Sequence, residues 1–343
     1  MPDKGHLDNW FEQRKLRRAS LTSDALYDKV YSGDKQALSS AITLIESERP
    51  ADKLEANKLV SACYASGRKS FRLGITGIPG VGKSSFIEAF GKLLLEAGKK
   101  VAVLAIDPSS QVTGGSILGD KTRMNWLSQQ ENVFIRPTPA GKSLGGVARA
   151  TRESIVLCEA AGYDIVIVET VGVGQSETFV SSMVDFFLLL MLSGAGDELQ
   201  GIKRGIMEMA DALLITKADG ENELKAKRAR SQYASALHLF PQKENNWTPY
   251  TSICSSVSGK GLSEFMEVMM HYFVHIQTTG WWAHNRRKQE IQLLRDHFTT
   301  LILADFFENE QWKSAFEKEV SAIESDLKSG YQAAEDLLKQ FRS

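Results

Sequence analysis

Cysteine is scarce in this sequence. Cys63, Cys158 and Cys254 stand far apart, with no CxxC pair and no Cys/His cluster. That distribution speaks against a structural zinc site, and a reducing compartment fits it best. An excess of charge is missing as well. Lys and Arg number 41 against 42 Asp and Glu, a formal net charge of −1, so no global basic field draws the chain to nucleic acid or to an anionic membrane. Long apolar runs are absent. The longest, "FFLLLML" at residues 186–192, is far too short to span a bilayer. The opening "MPDKGHLDNWFEQRK" has no apolar signal core, and its acids disfavour a mitochondrial transit peptide. The expectation is a cytoplasmic protein with neither nucleic acid nor membrane as partner. What remains is an ordinary globular composition, 43% hydrophobic and 24% charged. The length suits one large domain with appendages, or two domains.

Three regions separate by pattern. Residues 1–66 read as a helical extension, in which Asp34 is placed to cap a helix with Leu38, Ala41, Ile42 and Ile45 on its apolar face. Residues 67–275 alternate helical stretches with short apolar runs: "FRLGIT", "VAVLAI", "NVFIR", "DIVIVE", "FFLLLM", "ALLIT" and "YTSIC". Their near-continuous hydrophobicity predicts strands buried on both faces. The alternation predicts an α/β fold with a mostly parallel, doubly wound sheet. Residues 276–343 read as helical again, with Ile291, Leu294, Phe298, Leu301 and Ile302 on one face. The pattern leaves two readings open, helices packed on the sheet or a dimerisation arm, because the apolar stripe needs a partner either way.

"GITGIPGVGKSSF" holds Gly77, four residues, then Gly82-Lys83-Ser84, between a predicted strand and a predicted helix. That is the GxxxxGK[ST] phosphate loop in the context it requires. Glycines let backbone N–H groups crowd around phosphates, and the helix N-terminus adds positive potential. The expected nucleotide-contacting run is Gly77, Ile78, Pro79, Gly80, Val81, Gly82, Lys83, Ser84 and Ser85. Lys83 reaches the β- and γ-phosphates, and the Ser84 hydroxyl ligates Mg²⁺.

"LLITKADG" places Thr216-Lys217-Ala218-Asp219 at a strand end. The [N/T]KxD pattern reads guanine: the Asp219 carboxylate accepts from the ring N–H and the exocyclic amine, and the Lys217 stem lies over the base. Thr216 stands where Asn is usual, which is expected to weaken the loop's internal bracing. In "SICSSVSGKGL", Ser255, Ser256 and Val257 sit where backbone N–H groups complete a base pocket. "DIVIVETVGVGQSE" carries Glu169 at a strand end and then Gly172, a DxxG-like element with Glu for Asp, suited to hold Mg²⁺ through water. Asp107 and Asp120 are further magnesium-site candidates. Val173 follows Gly172 where Ras-like proteins keep a water-positioning Gln, and Gln175 lies two residues on. Slow intrinsic hydrolysis is therefore expected.

Together "GIPGVGKSS", "DPSS", "GGSILGDKTRM", "GGVARATRE", "VETVGVGQSE" and "GAGDELQGIKRGIMEMAD" resemble the MeaB/ArgK-type GTPases, the methylmalonic aciduria type A family, over roughly residues 40–285. The resemblance implies a P-loop NTPase that binds GTP/GDP with Mg²⁺. It implies a chaperone that gates adenosylcobalamin delivery to, and protects, methylmalonyl-CoA mutase or a related acyl-CoA mutase. It also implies a homodimer formed through the C-terminal arm. By position it assigns Lys83 and Ser84 to the phosphate loop, Asp107, Asp120 and Glu169 to the magnesium site, and Asp219 to guanine. Residues 193–205 match the family's third switch loop, whose Asp197, Lys203 and Arg204 carry charge toward nucleotide or partner. Lys203 is the expected catalytic contributor. Two other classes share the nucleotide chemistry. A nickel-type metallochaperone needs Cys/His ligands near these loops, and this sequence scatters them. A kinase linked to arginine/ornithine transport needs a site for an acceptor hydroxyl, and no such site is read here.

Overall fold

The computed structural model describes residues 22–47, 49–107, 124–139, 144–170, 176–194 and 204–342. All seven apolar runs form strands: β1 (Phe71–Gly77), β2 (Val101–Asp107), β3 (Val133–Pro139), β4 (Ile165–Thr170), β5 (Phe186–Met191), β6 (Ala212–Ile215) and β7 (Tyr250–Ile253). They make one sheet in the order β3-β2-β4-β1-β5-β6-β7. Every pairing is parallel. Parallel strands need crossovers, so helices cover both faces and no face is left to alternate with polar residues. In β1, β4 and β5 every residue is buried.

Successive residues of each strand feed opposite layers. Ile165 and Ile167 join a core with Phe86, Phe90, Phe265 and Tyr272, under the helices Lys83–Glu96 and Leu262–Thr278. Val166 and Val168 join a second core on the other face, with residues of the helix Leu144–Ala160. That second core also takes Leu38, Ala41, Ile42 and Ile45 from the helix Lys35–Ile45, together with Leu26, Val30 and Leu59 from the flanking helices Ser23–Tyr31 and Pro50–Ala65. Residues 22–65 thus pack as part of the α/β layering. Asp34 caps as its sequence position predicts, its Oδ1 accepting from the Ala37 N–H at 2.8 Å. Deep in the fold, Arg72 and Glu159 form a two-pronged ion pair, with both contacts at 2.9 Å.

The chain divides into two compact units, residues 1–285 and 286–343. The boundary drawn at residue 275 from the pattern falls inside the helix Leu262–Thr278, because Tyr272 and Ile276 are buried against the sheet. The second unit is helical, built from the end of Trp281–Glu308 with Glu310–Glu324 and Gly330–Arg342. Among the described residues no helix is long and apolar enough to cross a membrane. All three cysteines are buried, and burial pushes the Cys63 and Cys254 thiols up to about 12.

Candidate nucleotide site

Because the strands are parallel, the loops leaving their carboxyl ends gather at one edge of the sheet. β1 is central, flanked by β4 and β5, and its exit forms the phosphate cradle. Gly77 closes β1 with φ 156°, and a Cβ there would lie 2.5 Å from the Leu190 carbonyl oxygen. Only glycine fits so close an approach. Gly80 and Gly82 also take positive φ, and Gly82 opens the helix Lys83–Glu96. The first turn of that helix presents N–H groups without intrahelical acceptors, the requirement for an anion site. Val81 is fully buried and anchors the loop from below. Lys83 folds across the loop and donates to the Gly77 carbonyl at 2.7 Å and to Ile78 at 3.4 Å. Ile78 and Pro79 complete this turn between strand and helix, and Ser85 lies in the first turn of the helix.

Next to the cradle, β4 delivers Glu169, which is only 2% exposed. The Ser84 hydroxyl donates to its Oε1 at 3.4 Å. The two residues meet because β1 and β4 are in register, with Ile75 opposite Glu169. One residue further along, the Thr170 hydroxyl donates to that of Thr76 at 2.8 Å and ties the two strands at the mouth of the site. A hydroxyl and a carboxylate held together at a phosphate loop are hard oxygen donors, the set that suits Mg²⁺. The backbone of Asp107 ends β2 at the same edge. Its side chain lies outside the described residues, as do Asp120, Gly172, Val173, Gln175, Asp197 and Lys203.

The TKADG segment follows β6. Its first residue corrects the expectation of a weakened brace. The Thr216 hydroxyl donates to the Val81 carbonyl of the phosphate loop at 2.7 Å, with the Met191 carbonyl at 3.2 Å. Threonine therefore supplies a direct tie between the TKADG segment and the phosphate loop. Lys217 takes the left-handed conformation (φ 56°) and donates from Nζ to the Gly80 carbonyl at 2.8 Å, laying its stem along the loop. Asp219 accepts from the Ser255 hydroxyl at 2.8 Å. Ser255 is fully buried, and its Oγ accepts in turn from the Val257 and Ser258 N–H groups at 3.2 Å each. The loop after β7 closes at Gly261, where a Cβ would lie 2.2 Å from the Ile253 carbonyl. Lys217, Asp219, Ser255, Ser256 and Val257 are thus brought together on adjoining strand exits, β6 beside β7. The sequence assigned Ser255 a backbone role only. Its side-chain contact with Asp219 joins segments 36 residues apart, which no local spacing signals.

A glycine-built phosphate cradle, a serine–glutamate pair beside it and a TKxD reader on the next strands define the P-loop GTPase class. The sequence profile of the family described as methylmalonyl-CoA mutase-associated GTPase MeaB matches residues 38–311, and the chain belongs to that family. It is 44% identical to the GTPase ArgK of Escherichia coli (strain K12), over 88% of this chain and 91% of that protein. It is 42% identical to the mitochondrial methylmalonic aciduria type A homolog of Mus musculus, over 93% of this chain and 80% of that one. Among solved structures, one titled as a LAO/AO transport system kinase superposes with a TM-score of 0.74 at 35% identity, covering 95% of this chain and 98% of that one. The protein is a GTPase.

Proposed function

We propose that this GTPase serves a cobalamin-dependent acyl-CoA mutase of the methylmalonyl-CoA mutase type, gating adenosylcobalamin delivery and protecting the mutase, as a cytoplasmic homodimer. Family membership supports the mutase link. The observation that carries the nucleotide chemistry is the pairing of Asp219 with Ser255, which holds a carboxylate at the base-reading position.

In this reading Ser84 and Glu169, with Asp107 and Asp120, would hold Mg²⁺, which would supply charge neutralisation at the phosphates. Lys83 moves from the Gly77 carbonyl to the β- and γ-phosphates, and the helix N-terminus supplies backbone donors to the same anion. Glu169 orients the ligand shell through the Ser84 hydroxyl. Asp219 selects guanine, since adenine offers its carboxylate no matching pair of donors. No built-in water-positioning residue follows Gly172, so hydrolysis is slow alone and rises with the mutase. Lys203 is the contributor assigned to that rise, worth a factor on the order of 10³ by analogy with an arginine finger. Arg204 is a less suitable one, because its guanidinium lies over the Phe240 ring, 5.5 Å from the centroid.

Two measurements test this reading. GTP binds far more tightly than ATP, and Asp219→Asn shifts preference toward xanthine nucleotides; equal GTP and ATP affinity in the unmodified protein refutes the base assignment. For coupling, four rates are compared: unmodified protein and Lys203→Ala, each with and without mutase. The variant keeps its rate alone and loses the stimulated increment. An equal loss in both conditions assigns Lys203 to the resting site instead.

A further inference from the structure

Asn222 lies just past the TKADG segment, in the short 3-10 turn Gly220–Asn222, and no nucleotide motif includes it. Its side chain is used at both ends. Nδ2 donates to the Lys217 carbonyl at 2.7 Å, and Oδ1 accepts from the Ser193 hydroxyl at 2.7 Å. The amide orientation is fixed by these partners, because a carbonyl can only accept and so must face the NH₂. Ser193 is two residues beyond β5, at the root of segment 193–205. Lys217 is one of three non-glycine residues with positive φ among those described. Such a conformation is costly and persists only where the surroundings enforce it. Lys217 is fixed at its carbonyl by Asn222 and at its ammonium by Gly80.

We infer that Asn222 is a positioning residue for the base reader. It holds Lys217 in the left-handed conformation that lays the lysine stem across the base site, and the Ser193 hydroxyl locks Asn222 in that orientation. The chain of contacts runs Ser193, Asn222, Lys217, Gly80, so the exit of β5 is tied to the phosphate loop through the residue that lies over the base. This rests on the guanine reading of Lys217 and Asp219.

The test uses the full-length protein and a fluorescent GDP. Asn222→Ala speeds GDP release about five-fold, the scale of one lost hydrogen bond. Ser193→Ala acts in the same direction but about two-fold, while Ser193→Thr, which keeps the hydroxyl, releases GDP at the parental rate. The double variant is no faster than Asn222→Ala alone, because Ser193 acts through Asn222. The ratio of GTP to ATP affinity falls in Asn222→Ala, a selectivity that a general loss of stability does not produce. Should Asn222→Ala fail to fold, Asn222→Asp carries the same test: it keeps the acceptor for Ser193 and turns an oxygen toward the Lys217 carbonyl. Parental GDP release in Asn222→Ala or Asn222→Asp, or multiplicative effects in the double variant, overturns the inference while leaving the guanine reading intact. An unmodified protein that binds GDP no better than ADP refutes the guanine reading instead.

Discussion

Apolar side chains mean different things in the two compact units. In β5, Phe186–Met191 is buried at every position, satisfied entirely by its own chain. In the helix Trp281–Glu308, Leu294 is 67% exposed and Phe298 59%, with Ile291, Leu301 and Ile302 also exposed. The second unit also carries an apolar cavity of about 540 Å³ lined by Phe306, Phe316, Leu337 and Phe341 among others. Large contiguous apolar surface marks an interaction face in soluble proteins. The first unit is therefore built to be complete and to work on a small ligand. The helical unit is built to be covered, and we propose a second copy of this chain as the cover.

The largest effect expected from that difference is all-or-none. Leu294→Glu combined with Phe298→Glu converts the proposed dimer to a monomer in sedimentation, because charge on a buried apolar contact leaves ions without partners. GTP binding by residues 1–285 persists, since every residue assigned to the nucleotide site falls between Gly77 and Val257 in the sequence. A parental protein that sediments as a monomer at micromolar concentration breaks the comparison, and the stripe then needs a different cover.

Within the first unit, Lys83→Ala is next in size. Removing the cation proposed to meet developing phosphate charge lowers turnover by a factor on the order of 10²–10³, as for loss of one transition-state donor. The expected outcome is a fold that tolerates the change, since what Lys83 gives up in this conformation includes its contacts to two loop carbonyls. GTP turnover and the thermal midpoint without nucleotide are the paired measurements. A large drop in midpoint assigns Lys83 a structural role.

Much of this site was legible because its signals are local. The phosphate motif is eight residues long, and the TKxD segment four. The strands announced themselves because burial on both faces leaves an uninterrupted apolar run, as in "FFLLLM". The cap at Asp34 was readable for the same reason, its acceptor and donor lying three residues apart. What escaped was everything set by strand order. That helices from 22 to 65 complete one layer of the α/β unit follows from which face Val166 and Val168 present, not from their own amphipathic pattern. Ser255 meeting Asp219, and Ser193 meeting Asn222, require β5, β6 and β7 to be neighbours, a fact no window of sequence contains.

The smallest effect tests the least local contact. Thr216 and Val81 are 135 residues apart, yet the hydroxyl donates to that carbonyl at 2.7 Å. Thr216→Val keeps the side-chain shape and removes only the donor. The Thr216 backbone N–H still pairs with the Met191 carbonyl at 2.8 Å, so β6 stays in place. What loosens is the tie between base reader and phosphate loop. Net loss of one hydrogen bond is about 1 kcal/mol, which corresponds to a roughly five-fold weaker GTP affinity. Thr216→Asn retains a donor and should bind GTP nearly as the parent does. Titration of the three proteins with GTP and ATP separates the cases. If valine and threonine bind GTP equally, the tie is dispensable, and the phosphate loop is positioned by Gly77 and the buried Val81 alone. If valine loses affinity for both nucleotides in proportion, Thr216 acts on the phosphate loop rather than on base choice, as its contact with Val81 requires.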